Sequence, residues 1–135
     1  MKYHVVKGLL SAGCNIIDIG LSLSPMVYFA QHHLNTDALA MITASHNDNG
    51  WTGIKCGIEK SLTFGPDEMR EIKELALSND NYQANEEGNY KFINDLKDHY
   101  LHYLIKDFKL KNKLKIVAAC GNGTAGAFAP EVLRS

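Results

Sequence analysis

Apolar residues recur along this chain at two periods, and the alternation between them predicts an α/β fold. Val5, Val6, Leu9 and Leu10 return at helical spacing and Gly13 follows as a stop, so residues 2–12 read as an amphipathic helix that opens without a capping signal. Residues 15–21 (NIIDIGL) are a short β-branched run of buried-strand type, closed by Gly20 and the serines behind it. Ser24 then Pro25 supply an N-cap and a first-turn proline for a helix to about residue 33, with Met26, Val27, Phe29 and Ala30 facing inward. A second continuous apolar strand, ALAMIT, covers residues 38–43. Strand, helix, strand in that order predicts a right-handed crossover between parallel strands.

The pattern then breaks. Residues 43–55, TASHNDNGWTGIK, crowd a serine, a histidine, asparagines, an aspartate, glycines and a lysine between two apolar runs. Residues 53–58 (GIKCGI) read as a return strand, because Asn49-Gly50 tolerates the positive φ angles of a tight hairpin turn. The polar stretch is therefore expected as a loop at the carboxyl end of a strand, where open α/β sheets place their sites.

Further on, Pro66 starts a helix with Asp67 and Glu68 at its positive end and Met69, Ile72, Leu75 and Ala76 along one face. Residues 79–90 carry almost no aliphatic side chain and read as a loop or linker. A longer helix is expected over 91–107, with Phe92, Leu96, Leu101, Leu104 and Ile105 as its buried stripe. Residues 114–119 (LKIVAA) then form a strand running into glycine-rich CGNGTAG and the start of one more helix. A strand with half a crossover cannot cover both its faces. The expectation is thus a truncated α/β protein with a mixed, mainly parallel sheet and helices on both faces. Residues 1–108 would be a first domain lacking its N-terminal part and ending in a linker helix, and 109–135 the first strand and helix of a second.

Composition narrows the partners. With 135 residues, 45% hydrophobic and 21% charged, the chain is ordinary globular material, and its formal charge of −1 leaves no basic excess for nucleic-acid phosphates or an anionic membrane. Small molecules are the expected ligands. No apolar run approaches the ~20 residues of a membrane helix, and Lys7 splits the one stretch that imitates a lipoprotein signal, MKYHVVKGLLSAGC. Cys14, Cys56 and Cys120 are odd in number and far apart, which suits reduced thiols in a cytoplasmic protein.

Three places could carry chemistry. In the polar loop, Ser45 has a neighbouring histidine, His46, and Lys55 ten positions on; composition and spacing equally allow Ser45, Asn47, Asp48 and Asn49 simply to satisfy backbone groups in a tight turn. Residues 121–126 are literally G-x-G-x-x-G between a strand and a helix, the fingerprint of a nucleotide-binding domain, although Pro130 interrupts the helix that should follow. His99 and His102, with Asp95 and Asp98 near, invite a metal reading, but a solvated helix face explains them more simply. His32 and His33 are adjacent and point to different sides of their helix. A non-catalytic interaction module is a further alternative.

TASHN followed by NGWTGIK closely resembles the active-site signature of the α-D-phosphohexomutases, phosphoglucomutases and phosphomannomutases, whose usual form is TASHNP, a short gap, then NGFK. IIDIGLSLSPMVYFA and LKIVAACGNGTAG resemble, in the same order, a strand-to-helix block of that family's first domain and the opening of its second. The resemblance implies an intramolecular phosphotransferase that interconverts hexose 1-phosphate and hexose 6-phosphate through a hexose bisphosphate. It implies that Ser45 carries the phosphoryl group, that Lys55 is the cation beside it, and that His46 has a supporting or acid/base role. It also implies Mg²⁺, ligated by the phosphoryl on Ser45 and by a D-G-D motif that this sequence does not contain, so the isolated chain is expected to be inactive. Asp48 stands where the family usually has proline, Thr52 where it has asparagine, and Ala119 where many relatives have an acidic residue.

Overall fold

Backbone hydrogen bonding, which needs partners distant in sequence, decides which of these apolar runs become strands. In the computed structural model, which describes every residue except Ser61, Asn79 and Asn81, the order is α1 (Lys2–Ser11), β1 (Ile16–Asp18), α2 (Ser24–His33), β2 (Leu39–Thr43), β3 (Gly53–Gly57), α3 (Pro66–Ser78), β4 (Tyr90–Phe92) and α4 (Leu96–Ile105). A 3₁₀ turn (Thr124–Ala127) and the short α5 (Ala129–Val132) complete it.

β2 and β3 form an antiparallel hairpin in register from Leu39↔Gly57 to Thr43↔Gly53. Glycine is needed at the far end of β3 and leaves close quarters at the near end. A Cβ on Gly53 would stand 3.1 Å from the Thr43 carbonyl oxygen, and one on Gly57 would collide with the Leu62 carbonyl. β1 instead pairs in parallel with β4, Ile16↔Tyr90 to Asp18↔Phe92. The α/β class therefore holds, with one parallel and one antiparallel ladder, but the strands flanking α2 are not ladder neighbours: among the described residues β1–β4 and β2–β3 are separate two-stranded ladders.

Several expected boundaries move for the same reason. Residues 90–92 end the predicted loop and open the predicted helix, yet pairing with β1 draws them into a strand, so α4 starts only at Leu96. Phe92 is consequently 55% exposed rather than part of a helical stripe, and Leu104 is also exposed, whereas Leu96 and Leu101 are buried. Residues 114–119 form no strand, because no described residue offers them a ladder; Val117 is 91% exposed. The expected loop at 79–90 includes Asn79 and Asn81, which lie outside the described residues. On α3 the anticipated inward face is only half covered, with Met69 and Ile72 partly buried and Leu75 and Ala76 exposed. At α2 the N-cap is Leu23, and the Ser24 hydroxyl donates to Met41 Sδ at 3.4 Å instead.

The core gathers where α2 packs on β2 and α4: Met26, Val27, Ala30, Leu96 and Leu101 are buried, together with Phe128 from the following turn. Gln31 is buried among them and its Nε2 donates to the Asp37 carbonyl at 3.4 Å.

One buried acid ties the parallel ladder together. Asp18 ends β1, forms an ion pair with Lys2 of α1, accepts from the Tyr90 hydroxyl at 2.6 Å and accepts from the Gly20 N–H at 3.0 Å. Burial pushes its carboxyl up, but the hydrogen bonds from Lys2, Tyr90 and Gly20 and the charge of Lys2 outweigh that and hold it below the ordinary value. Its stabilising contribution is therefore complete above the unfolded pKa of about 3.9 and is lost as pH falls through the lower folded value. In urea unfolding followed by circular dichroism, the stability gap between wild type and Asp18→Asn should be constant at neutral pH and close as the solution is acidified. A gap that persists unchanged into strong acid would contradict this account.

Candidate functional site

The β2–β3 register fixes where the polar loop begins. Thr43 and Gly53 are the last paired residues, and residues 44–52 bridge between them. Side chains then bend the backbone: Thr43 Oγ1 accepts from the Ser45 N–H at 3.0 Å, while the Asn47 N–H and Nδ2 both donate to the Ala44 carbonyl, at 3.2 and 2.9 Å. The far limb turns at Gly50, φ 98°, with the Trp51 N–H donating to the Asp48 carbonyl at 3.3 Å. Asn49-Gly50 thus uses positive φ only at its glycine.

The second left-handed residue of the loop is Ser45 itself, at φ 54°. For an L-residue that conformation costs about 1–2 kcal/mol, and such strain collects at sites where a side chain must be aimed. The Ser45 side chain is exposed at the rim of the ladder, and among the described residues its hydroxyl makes no hydrogen bond. His46 follows it, also exposed.

Lys55 enters from the other strand. It pairs with Met41, and opposite residues of an antiparallel ladder share a face, so Lys55 lies on the face of Met41, Thr43 and Gly53. The structure thus gathers Ser45, His46 and Lys55 on one hairpin, with Ser45 and Lys55 both open to solvent. Cys56, next to Lys55, faces the other way, and burial pushes its thiol up.

The remaining candidates do not assemble. The glycine-rich segment 121–126 leads into a 3₁₀ turn rather than a helix that could cradle a pyrophosphate, with Gly123 and Gly126 donating back to Cys120 and Gly123 at 3.0 and 3.1 Å. His99 Nε2 is 3.8 Å from Asp95 Oδ2 and its ring lies 4.9 Å from that of His33, but among the described residues no three His, Cys, Asp or Glu side chains converge as a metal site would require. Sequence reasoning anticipated Asn47 as a residue satisfying backbone groups in the turn, and passed over Thr43. Both frame the loop through bonds to the backbone.

Comparison with known proteins places the fold. Residues 1–83 match the family model described as phosphoglucomutase/phosphomannomutase, alpha/beta/alpha domain I. The chain is 34% identical over 132 residues to a phosphomannomutase/phosphoglucomutase of Pseudomonas putida, which takes in 98% of this chain and 28% of that protein. It is 34% identical to a probable phosphoglucosamine mutase of Pyrococcus abyssi over 99% of its own length and 30% of the relative's, and 37% identical to a phosphomannomutase of Escherichia coli K12 over 93% and 28%. A crystal structure of a phosphoglucomutase/phosphomannomutase family protein from Burkholderia thailandensis superposes with a TM-score of 0.85 at 25% identity, covering 98% of this chain and 30% of that one. The chain therefore belongs to the phosphoglucomutase/phosphomannomutase family, and it spans less than a third of the length of these relatives.

The strained backbone is open to measurement. Because glycine carries no penalty at φ 54°, Ser45→Gly should exceed Ser45→Ala in unfolding free energy by up to about 1 kcal/mol, less than the full strain because glycine also gains freedom when unfolded. Coincident urea midpoints for the two variants would show that Ser45 is not held in this conformation.

Proposed function

We propose that this chain carries the phosphoserine hairpin of a phosphohexomutase, an enzyme that interconverts hexose 1-phosphate and hexose 6-phosphate. The observation that carries the reading is the exposed, left-handed Ser45 at the carboxyl end of β2, with Lys55 on the same hairpin. Its relatives' names, phosphomannomutase, phosphoglucomutase and phosphoglucosamine mutase, support the substrate class.

In the proposed cycle Ser45 enters phosphorylated. A free hydroxyl of the hexose phosphate attacks the phosphorus, the bond from phosphorus to Ser45 Oγ breaks, and the hydroxyl proton leaves to a base. The resulting hexose bisphosphate turns over in the site, and its other phosphoryl group passes back to Ser45 with the reverse proton movement. Transfer of this kind is mostly positioning and charge stabilisation. Lys55 is the group that offsets charge on the moving phosphoryl, and His46 is the candidate for holding or carrying the proton.

Mg²⁺ is the implied cofactor, and a phosphoryl oxygen on Ser45 would be one ligand. The described residues do not bring together the further oxygen ligands that an octahedral ion demands, so they do not form the site by themselves and no step above passes through the metal. Under the same proposal residues 1–108 belong to a first domain and 109–135 to a second, and the isolated chain lacks turnover. A cytoplasmic location is supported by three free cysteines, and among the described residues no helix is long and apolar enough to cross a membrane.

The test uses a full-length enzyme containing this chain. Intact-mass and peptide mapping should find phosphate on Ser45. Ser45→Ala should reduce mutase turnover to background, and Lys55→Ala should lower kcat/KM by about 10²–10³-fold, the usual loss when one stabilising donor is removed. Normal turnover in the Ser45→Ala variant would exclude the mechanism.

A further inference from the structure

Ser45 is exposed and among the described residues its hydroxyl makes no hydrogen bond, so the backbone beneath it is what aims the oxygen. That backbone is held at one peptide unit, the one joining Ala44 to Ser45. Its N–H, on Ser45, donates to Thr43 Oγ1 at 3.0 Å. Its carbonyl, on Ala44, accepts from both the N–H and the Nδ2 of Asn47, at 3.2 and 2.9 Å. A peptide unit is planar and points these two groups to opposite sides, so Thr43 and Asn47 grip it from either end.

The grip opposes one particular motion. Rotating the unit by half a turn would carry the Ser45 φ from 54° into the ordinary negative range and relieve its strain. It would also turn both polar groups away from their partners and break all three bonds at once. A left-handed residue costs about five- to thirtyfold in population, and one neutral hydrogen bond returns about two- to twelvefold. At mid-range one bond falls short of the cost and three together exceed it. Thr43 is itself fixed as the closing partner of Gly53, so one jaw of the grip belongs to the ladder. A turn needs its backbone groups satisfied but does not need them satisfied in a strained conformation, and that surplus points to function.

We propose that Thr43 and Asn47 are positioning residues, which lock the Ala44–Ser45 peptide so that Ser45 presents its phosphoryl group along one direction. This rests on the phosphohexomutase reading and adds to it the device that aims the phosphoserine. Transfer needs the attacking oxygen, the phosphorus and Ser45 Oγ roughly in line, so a flipped peptide misdirects the phosphoryl without removing any group that binds the sugar. The loss should therefore fall on kcat and leave KM in place.

Two arms test it. In this chain Thr43→Val keeps the shape of the side chain but removes the acceptor and lets the peptide relax. The stability margin of Ser45→Gly over Ser45→Ala should then shrink toward zero in the Thr43→Val background and persist in the Thr43→Ser background. Urea midpoints decide this without reference to activity, and an undiminished margin, or none in the parent chain, overturns the grip. In the full-length enzyme Thr43→Val and Asn47→Ala should each lower kcat about fivefold at unchanged KM, the shift of one neutral hydrogen bond, and Thr43→Ser should recover most of it. Wild-type kcat in both Thr43→Val and Asn47→Ala, or a loss confined to KM, overturns the positioning role while phosphate on Ser45 leaves the mutase reading standing. If Thr43→Val fails to fold, Asn47→Ala, at an exposed position, carries both arms. Absence of phosphate from wild-type Ser45 sinks the mutase reading and the positioning role with it.

Discussion

The closing pair of the hairpin, Thr43 against Gly53, is the constraint on which the site depends. A slip of one residue between β2 and β3 would turn Lys55 to the opposite face and carry Ser45 away from the rim. Two local features hold the register. The absence of a side chain at Gly53 lets the strands close at the Thr43 carbonyl, and Met41, at the centre of β2, is in contact with Ser24 at the start of α2. The hairpin is thereby fixed against the helix that also carries Met26 and Ala30 into the core.

The state of the serine hydroxyl distinguishes between kinds of chemistry. Serine hydrolases activate the oxygen through a hydrogen bond to a base that is itself oriented by a third group. Here His46 is the next residue in the chain, and among the described residues the Ser45 hydroxyl is bonded to no side chain. In the proposed mechanism the oxygen carries a phosphoryl and hands it on, and the reactivity then resides in the phosphorus and its surroundings.

What the sequence made legible was local. α1, α2, α3 and the β2–β3 hairpin each follow from signals inside a window of a dozen or so residues, and all are present within a residue or two. β4 was missed because Tyr90, Lys91 and Phe92 have no strand signature of their own; they become a strand by hydrogen bonding to Ile16–Asp18. Residues 114–119 fail in the opposite direction, with the strand composition but no described ladder to join. At the site, Ser45, His46 and Lys55 stand out by residue type and spacing. The left-handed backbone of Ser45 does not, because Asn49-Gly50 offers the stronger turn signal and the bend comes from Thr43 and Asn47.

The two ladders also differ in how far the chain must travel to make them. Asp18 and Tyr90 are 72 positions apart, so their pairing needs a long loop to close before any contact rewards it, whereas the hairpin around Ser45 forms between neighbours. During synthesis the residues of the β2–β3 hairpin leave the ribosome well ahead of β4. The most local piece of the architecture is thus the one that presents the serine, and it can take shape while the parallel ladder still awaits its second strand.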